Sequence, residues 1–561
     1  YEPQAQPSLI LSHGARQLVD GFRHSILQTA EQVNDCRYQP DEGSASVQCN
    51  AWLADNRKKA LLAEVGVGTL DQALLAVLPA RHQSLRLLGL AGKVLLVDEV
   101  HAYDPYMMTL LKTLLAAHAR QGGSAILLSA TLPLAARDEL VAAYRFGLGA
   151  QEDNVLEDNR YPLATQAGQS LASHACETRP QLRRSVAVLP VHNEAGVVDL
   201  VVEQAKAGRS VCWIRNTVDD ARRAKQLLAE HLPSEKLSLF HSRFAMGHRL
   251  DIEGQVLALF GKHSIGKERA GQVLVGTQVL EQSLDFDVDL MVSDLAPVDL
   301  LIQRAGRLQR HARQANGDPA TDGIERREPP VLYLLTPQPD NEPQANWYTT
   351  LFPKACYVYP DTGKLWLGAR ALLRSGCIVT PGEPGQSGAV RELVEAVYGD
   401  DIDDVPDSLK KASQDQLGKD MAMQSQAHFN ALRLDKGYCI DSSARWYEDH
   451  MVPTRLGDET QTLYLALWRD GELHPLCAEG AYPWEQSAVR IGAHYAKELA
   501  PDWMSQFSGP MEVLRNRYRL LEEPAFILPL VESESGMMAK VLDEKGRVLE
   551  MHYDLQKGLS W

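Results

Sequence analysis

Short apolar runs of three to five residues recur along the first 335 residues: Val94-Leu95-Leu96-Val97, Ala125-Ile126-Leu127-Leu128, Val211-Cys212-Trp213-Ile214, Val273-Leu274-Val275, Leu290-Met291-Val292 and Val331-Leu332-Tyr333-Leu334-Leu335. Runs this short, with no polar alternation, suit strands buried on both faces, the condition met in parallel sheets. Segments with helical apolar spacing, such as Tyr106 to Arg120 and Asp219 to His231, lie between them. Strands that alternate with helices imply an α/β fold of parallel sheets flanked by helices.

A chain of 561 residues exceeds one ordinary hydrophobic core. A polar, turn-rich stretch from Gln151 to Thr178 separates two α/β blocks, and Thr336-Pro337-Gln338-Pro339-Asp340 closes the second. The expected division is a first block over 1–165, a second over 166–336, a linker over 337–400 and a C-terminal domain over 401–561. The linker is inferred from the Pro/Gly-rich segment Thr380 to Gly388 and the acidic run Asp400-Asp401-Ile402-Asp403-Asp404, which reads as solvated chain.

Hydrophobic residues make up 45% and charged residues 23%, so the chain is of globular rather than disordered type. No apolar run approaches the roughly 18 to 20 residues that cross a bilayer, and the N-terminus has neither the basic flank nor the apolar core of a signal peptide, so a cytoplasmic protein without a membrane partner is expected. Cys36, Cys49, Cys176, Cys212, Cys356, Cys377, Cys439 and Cys477 are scattered without a Cys-x-x-Cys pair, which fits reduced thiols rather than a zinc site. The net charge of −16 argues against a non-specific duplex coat but leaves room for a local basic groove that holds one strand.

Chemistry gathers at the ends of the apolar runs. Asp98-Glu99-Val100-His101 follows the first of them, which puts two carboxylates at the carboxyl edge of a parallel sheet. There Asp98 can hold Mg²⁺ against nucleotide phosphates and Glu99 can orient and deprotonate a water; an exposed acidic strand end is the plain alternative. Ser129-Ala130-Thr131 ends the next run, where small hydroxyls can relay hydrogen bonds to a neighbouring lobe. Gln303-Arg304-Ala305-Gly306-Arg307-Leu308-Gln309-Arg310-His311 is the most specific stretch. Arg307 and Arg310 lie three apart, so a helix would place both guanidiniums on one face to stabilise phosphoryl charge. Between Thr131 and Gln303, Thr277 ends a strand and can meet a nucleic-acid phosphate, while Asp285 can reach a ribose or the arginines. Arg215-Asn216-Thr217 and His241-Ser242-Arg243 end two further runs, and each also reads as an ordinary turn. Trp446, Trp468, Trp484 and Trp503 read as core, with stacking on single-stranded bases as the alternative.

In this order the motifs resemble those of superfamily 2 helicases: a DExH box, an SAT motif, a strand ending in Asn216-Thr217, a TQ motif and a Gln-Arg-x-Gly-Arg-x-x-Arg motif. The resemblance implies two tandem RecA-like lobes with ATP in the cleft between them, His101 and Gln303 on the nucleotide. Val65-Gly66-Val67-Gly68-Thr69-Leu70-Asp71-Gln72, Asp98 to Asp104, Glu281-Gln282-Ser283-Leu284-Asp285 and Pro453-Thr454-Arg455-Leu456-Gly457 narrow it to the CRISPR-associated helicase-nuclease of type I systems, over essentially the whole chain. That family implies an effector recruited by an RNA-guided surveillance complex, which translocates along single-stranded DNA with ATP and Mg²⁺ and feeds it to a metal-dependent HD nuclease domain. By motif position, strand contacts fall on His13, Thr69, Gln72, Thr277 and Arg243.

Two family elements are absent from the 561 residues: a Gly-x-x-x-x-Gly-Lys-[Ser/Thr] loop and a His-Asp pair. Gly261-Lys262-His263-Ser264 imitates the first but reads as a turn, and Asp449-His450 has the second in reverse. Both elements lie upstream in the family, so a first lobe incomplete at its N-terminus is expected, with the HD nuclease region and its transition metal on an upstream segment. Without the loop's amides and lysine this chain alone is expected to lack ATPase activity, and without the His-Asp pair nuclease activity as well. Another superfamily 2 helicase, acting on RNA, and a non-catalytic docking fragment are the competing readings.

Overall fold

Val211–Ile214 shows why the apolar runs become inner strands: all four residues are buried, so the segment is stable only with covered faces and paired edges. The computed structural model describes residues 9–12, 61–80, 82–150, 158–282, 284–399, 405–433, 453–456, 459–480, 482–517, 526–533 and 536–561. The chain forms two units, one of residues Tyr1–Cys176 and Asp415–Leu456, the other of Glu177–Gln414 and Gly457–Trp561.

In the first unit, β1 (Leu9–Ser12) pairs in parallel with β2 (Val65–Gly68), and β3 (Val94–Val97) in parallel with β4 (Ser124–Leu127). The helix Pro105–Arg120 starts where the sequence supplies both a cap and a stop: the Asp104 carboxylate accepts the Met107 N–H at 2.8 Å, and Pro105 occupies the first turn. Its buried face, Tyr106, Leu110, Leu111, Leu114 and Leu115, forms the core with Leu140 of the helix Leu134–Leu148 and with Leu74 to Leu78. The helix Asp407–Asn430 contributes Ala427 to this core, and Leu432 N–H bonds to the Val77 carbonyl at 2.8 Å. A hairpin of β5 (Leu163–Ala167) and β6 (Leu171–Ala175) also belongs to this unit. The expected boundary at 165/166 therefore falls inside a strand. The turn-rich composition that suggested it comes from the hairpin itself.

The second unit has a seven-stranded sheet. Its strands are β7 (Arg184–Val191), β8 (Val211–Ile214), β9 (Leu237–Phe240), β10 (Val273–Gly276), β11 (Leu290–Asp294), β12 (Val331–Leu335) and β13 (Cys377–Thr380), in the order β13-β7-β12-β11-β8-β10-β9. Only β13 runs antiparallel. After β8 the chain proceeds to β9 on one side, and after β11 to β12 on the other. The carboxyl edge between β8 and β11 is thus a topological switch point.

Residues 337–400 correct the expectation of a linker. They hold the helices Thr362–Ser375 and Val390–Tyr398, and β13 extends the sheet against β7. Leu365, Trp366, Ala369 and Leu372 of the first helix are buried, as are Leu393 and Val397 of the second. The Pro/Gly-rich Thr380 to Gly388 only joins β13 to the second helix, and its composition masked the periodicity on either side. The acidic run Asp400 to Asp404 lies outside the described residues.

The rest of this unit is an eight-stranded sheet of β14 (Thr460–Arg469), β15 (Glu472–Pro475), β16 (Ala488–Gly492), β17 (Glu498–Leu499), β18 (Phe526–Ser533), β19 (Gly536–Leu542), β20 (Val548–Asp554) and β21 (Gly558–Ser560). Only β14 and β18 pair in parallel. Trp484 and Trp503 are buried in its core with Phe507, Leu465 and Leu528, and Trp468 packs against it. Trp503 Nε1 donates to the Pro529 carbonyl at 2.9 Å, which satisfies the indole inside the core. Trp446 lies outside the described residues. Ala245, which precedes the helix Met246–Phe260, sits in this same core and donates its N–H to the Tyr553 hydroxyl at 3.0 Å. The expected single domain over 401–561 is thus divided: residues Asp415–Leu456 go with the first unit.

Candidate functional site

At the end of β3 the last strand residue, Val97, is buried and the chain turns outward through Asp98 and Glu99. Glu99 has φ 54° and ψ 45°, a left-handed conformation that costs a non-glycine residue about 1–3 kcal/mol. Four hydrogen bonds hold it. Val100 N–H reaches the Leu128 carbonyl (3.1 Å), Leu128 N–H the Val97 carbonyl (2.8 Å), Glu99 N–H the Asp98 Oδ1 (2.9 Å) and the Tyr103 hydroxyl the Asp98 carbonyl (2.9 Å).

The consequence is a line of polar groups. The Glu99 carboxylate, 60% exposed, lies 3.3 Å from His101 Nε2, and His101 Nδ1 lies 2.9 Å from Ser129 Oγ at the end of β4. A neutral imidazole protonated on Nε2 satisfies both, donating to Glu99 and accepting from the serine. Thr131 is buried, and its Oγ1 has no hydrogen-bond partner among the described residues.

Thr69 follows β2 as the N-cap of the short helix Leu70–Leu74, with extended backbone, an exposed side chain and no side-chain cap bond. Gln72 is half-buried on that helix, with its N–H on the Thr69 carbonyl at 3.1 Å. His13 lies outside the described residues. Asp71 makes contacts that sequence reasoning missed: its carboxylate takes a two-pronged bond from Arg455, Nε at 3.0 Å and a terminal nitrogen at 2.9 Å, and a third from the Thr454 hydroxyl at 2.8 Å. Burial alone would raise the Asp71 carboxyl, but the Arg455 and Thr454 bonds outweigh it and hold the group below the usual carboxylate range. The wording of Pro453-Thr454-Arg455 was the available signal; a partner some 380 residues upstream was not readable from it.

In the second unit the helix Val298–Ala305 ends before the arginine pair, which corrects the expectation that Arg307 and Arg310 share a helix face. Leu308 is buried and bridges Val288, Gln309 N–H bonds to the Val288 carbonyl at 3.0 Å, and Gln309 is left-handed at φ 44°. These tertiary bonds draw the chain out of the helix after Gly306. The two arginines still converge, because both reach the segment Glu281 to Asp285. Arg307 donates to the Leu284 carbonyl at 2.7 Å and to the Glu281 carbonyl, and Arg310 Nε pairs with Asp285 at 2.7 Å. His311 Nε2 lies 3.2 Å from the same carboxylate. Arg310 and Asp285 are 44% and 54% exposed, so both are accessible to solvent. Gln303 is half-buried on the helix.

Arg304 is different. It is wholly buried, with Nε on Glu281 at 2.7 Å and one terminal nitrogen on the Ser293 hydroxyl (2.7 Å) and the Asp294 carbonyl (3.1 Å). It is a structural pillar beneath the exposed pair.

The switch point between β8 and β11 is filled from within. Arg215 Nε reaches Asp294 at 2.9 Å, and Asn216 donates to the Leu295 carbonyl at 2.8 Å and to the Tyr348 hydroxyl at 3.0 Å. Thr217 caps the helix Val218–Ala229 through the Asp220 N–H. Thr277 is buried at the end of β10, with its N–H 3.3 Å from the Phe240 carbonyl, and Gln278 beside it donates to the Asn216 carbonyl and to the Tyr359 hydroxyl. Arg243 is paired with Asp219 at 3.2 Å, and its guanidinium lies 4.0 Å from the centre of the Trp561 ring. The loop lookalike Gly261 to Ser264 wraps Arg313, whose guanidinium takes both carbonyls, at 2.8 Å and 2.6 Å.

The protein-family model for the C-terminal part of the CRISPR-associated nuclease/helicase Cas3 matches residues 207–313, from β8 through the arginine pair. The CRISPR-associated endonuclease/helicase Cas3 of Escherichia coli (strain K12) is 32% identical over 481 residues, 84% of this chain. The chain is a homologue of Cas3. It corresponds to 48% of the length of the E. coli relative, about half. The crystal structure of T. fusca Cas3 with AMPPNP matches this Cas3 homologue with a TM-score of 0.73 and 27% identity, over 99% of this chain and 65% of that one. A chain in a pre-nicking CRISPR RNA-guided surveillance complex matches with a TM-score of 0.68 and 26% identity, over 99% of this chain and 64% of that one. Among the described residues of the homologue, no helix is long and apolar enough to cross a membrane, and no three His, Cys, Asp or Glu side chains are grouped to hold a metal ion.

Proposed function

We propose that this Cas3 homologue is the ATP-driven, single-stranded-DNA translocase and helicase part of a type I CRISPR interference effector that acts on target DNA after recruitment by an RNA-guided surveillance complex. In this reading the two parallel-sheet blocks are RecA-like lobes and the C-terminal sheet an accessory region. The observation that carries it is the hydrogen-bonded line from Glu99 through His101 to Ser129, which joins a water-activating carboxylate to the neighbouring strand end.

The donor set suits Mg²⁺ with a nucleotide. One exposed carboxylate at a strand end, Asp98, without a closed cage of protein ligands, is how proteins commonly meet Mg²⁺ that keeps waters and phosphate oxygens. Asp98 would hold the ion, which when bound with ATP neutralises phosphate charge. Glu99 orients a water and accepts its proton, and His101 fixes the carboxylate's direction while reporting to Ser129. Thr131 offers its buried hydroxyl on the same strand end. In the second unit, Arg307 and Arg310 supply transition-state charge, with Asp285 holding Arg310 until a phosphate competes for it. Gln303 and His101 complete the nucleotide contacts. Thr69, Gln72, Thr277, Arg243 and His13 serve the strand, and Arg243 must then give up part of its contact with Asp219.

The test is the ATPase rate of the full-length gene product with single-stranded DNA or RNA of one sequence. Stimulation by DNA alone is expected. Equal stimulation by both would overturn the assignment in favour of a general superfamily 2 helicase.

A further inference from the structure

The segment Pro453-Thr454-Arg455 lies far in sequence from the Val65 to Gln72 and Asp98 to Asp104 motifs yet bonds to Asp71 in the first and to Tyr106 just after the second. At one end, Arg455 and Thr454 take both carboxylate oxygens of Asp71, which stands between Thr69 and Gln72. At the other, the Tyr106 hydroxyl donates to the Pro453 carbonyl at 2.9 Å and accepts from Asn430 Nδ2 at 3.0 Å. Tyr106 is fully buried and belongs to the helix capped by Asp104, directly after the loop of Asp98, Glu99, His101 and Tyr103.

Two further facts make this more than a surface ion pair. Asp71 is only 21% exposed and has three bonds to one segment, with the flat bidentate geometry that arginine provides and lysine does not. And the chain leaves the first unit immediately after Leu456.

We propose that Arg455, with Thr454, is a positioning residue that fixes the strand-binding turn Thr69 to Gln72 against the Asp98 to Asp104 loop and so couples ATP turnover to grip on the nucleic-acid strand. The role assigned to Arg455 is positional rather than a direct contact with nucleotide or strand. The residue acts through Asp71. The inference rests on the translocase reading above and adds to it a specific link between the two sites.

The experiment uses the full-length protein and measures the ATPase rate against single-stranded DNA concentration, nucleotide affinity with a fluorescent ATP analogue, and the melting temperature. Arg455→Ala and Arg455→Lys are compared with Asp71→Asn and with the exchange of the pair, Asp71→Arg with Arg455→Asp. Couplings of this kind change an affinity roughly two- to thirty-fold. The expected result is a half-saturating DNA concentration raised within that range in each single variant, with nucleotide affinity and melting temperature kept, and a partial return in the exchanged pair. Lysine should restore less than half of the effect. Unchanged DNA dependence in a wild-type-like fold would overturn the inference, as would parallel losses of nucleotide affinity and melting temperature, which would make the clasp merely structural. If the wild-type ATPase does not respond to single-stranded DNA at all, the translocase reading itself has failed, a result distinguishable from the other two.

Discussion

Arg304 is the first arginine of the motif Gln303 to His311 and the one of its arginines that solvent does not reach. Replacing it with methionine keeps most of the volume and removes the charge. Glu281, 5% exposed, then loses its guanidinium partner, and the Ser293 hydroxyl and the Asp294 carbonyl lose their donor. Breaking a buried pair from one side costs about 3–5 kcal/mol, because the remaining charge is stranded. At about 1.4 kcal/mol per tenfold, hydrogen exchange at the β8 and β11 amides should accelerate by roughly two to four orders of magnitude. Burial already pushes the Glu281 carboxyl up, with Arg304 pulling it back, and in the variant burial and the nearby Asp299 are opposed only by the weaker pull of Arg307. An acid with a raised folded pKa contributes stability below its unfolded value of 4.5 and loses it as pH rises through the folded value. The variant's deficit should therefore be smallest near pH 5 and grow toward pH 8. Acceleration of less than tenfold, or a deficit that shrinks as pH rises, would refute the pillar argument.

Four further outcomes are expected. Glu99→Gln in the full-length protein should keep ATP binding and lower turnover by about 10²- to 10⁴-fold, and Arg310→Ala should also act on turnover; a pure loss of DNA affinity in the latter would move Arg310 to the strand-binding group. Gly558→Ala places a Cβ 2.6 Å from the Arg243 carbonyl oxygen at a residue with φ 66°, which should cost about 1–3 kcal/mol and speed proteolysis within β20 and β21. His241 is stacked on Phe244, and burial, with Arg222 and Arg243 beside it, depresses its pKa to about 3 from 6.5. The folded state therefore loses stability as pH falls below about 6.5, and His241→Asn should flatten that acid limb in urea titrations at pH 5 and pH 7.5.

The apolar runs were legible as strands, and Val211–Ile214 and Val331–Leu335 begin and end where the sequence places them, but burial on both faces holds for Val211–Ile214 and not for Val94–Val97 or Ser124–Leu127, which leave Val94, Leu96 and Ile126 exposed. The helix Pro105–Arg120 was legible to within a residue through its apolar period. What failed was local inference about things decided at long range. Arg307 and Arg310 look helical until Leu308 is seen to be drawn onto Val288, and the region after Thr336 looks like a linker until Trp366 is seen to be buried. At the site, the Glu99, His101 and Ser129 line was half visible as two strand ends in order. The Asp71 clasp was invisible, since nothing in a sequence announces a partner across most of its length.

The burial of Ala245 in the C-terminal core has a consequence for dissection of the protein. The second unit is a discontinuous folding piece: its helix Met246–Phe260 starts from an amide bonded to Tyr553, and Arg222 donates to the Lys557 and Leu559 carbonyls. A clone that stops at residue 456 would expose the underside of the motif His241 to Arg243, and one that begins at 457 would lack part of its own core. Supplied as two separate polypeptides, residues 177–414 and 457–561 should find each other, in the manner of a split protein.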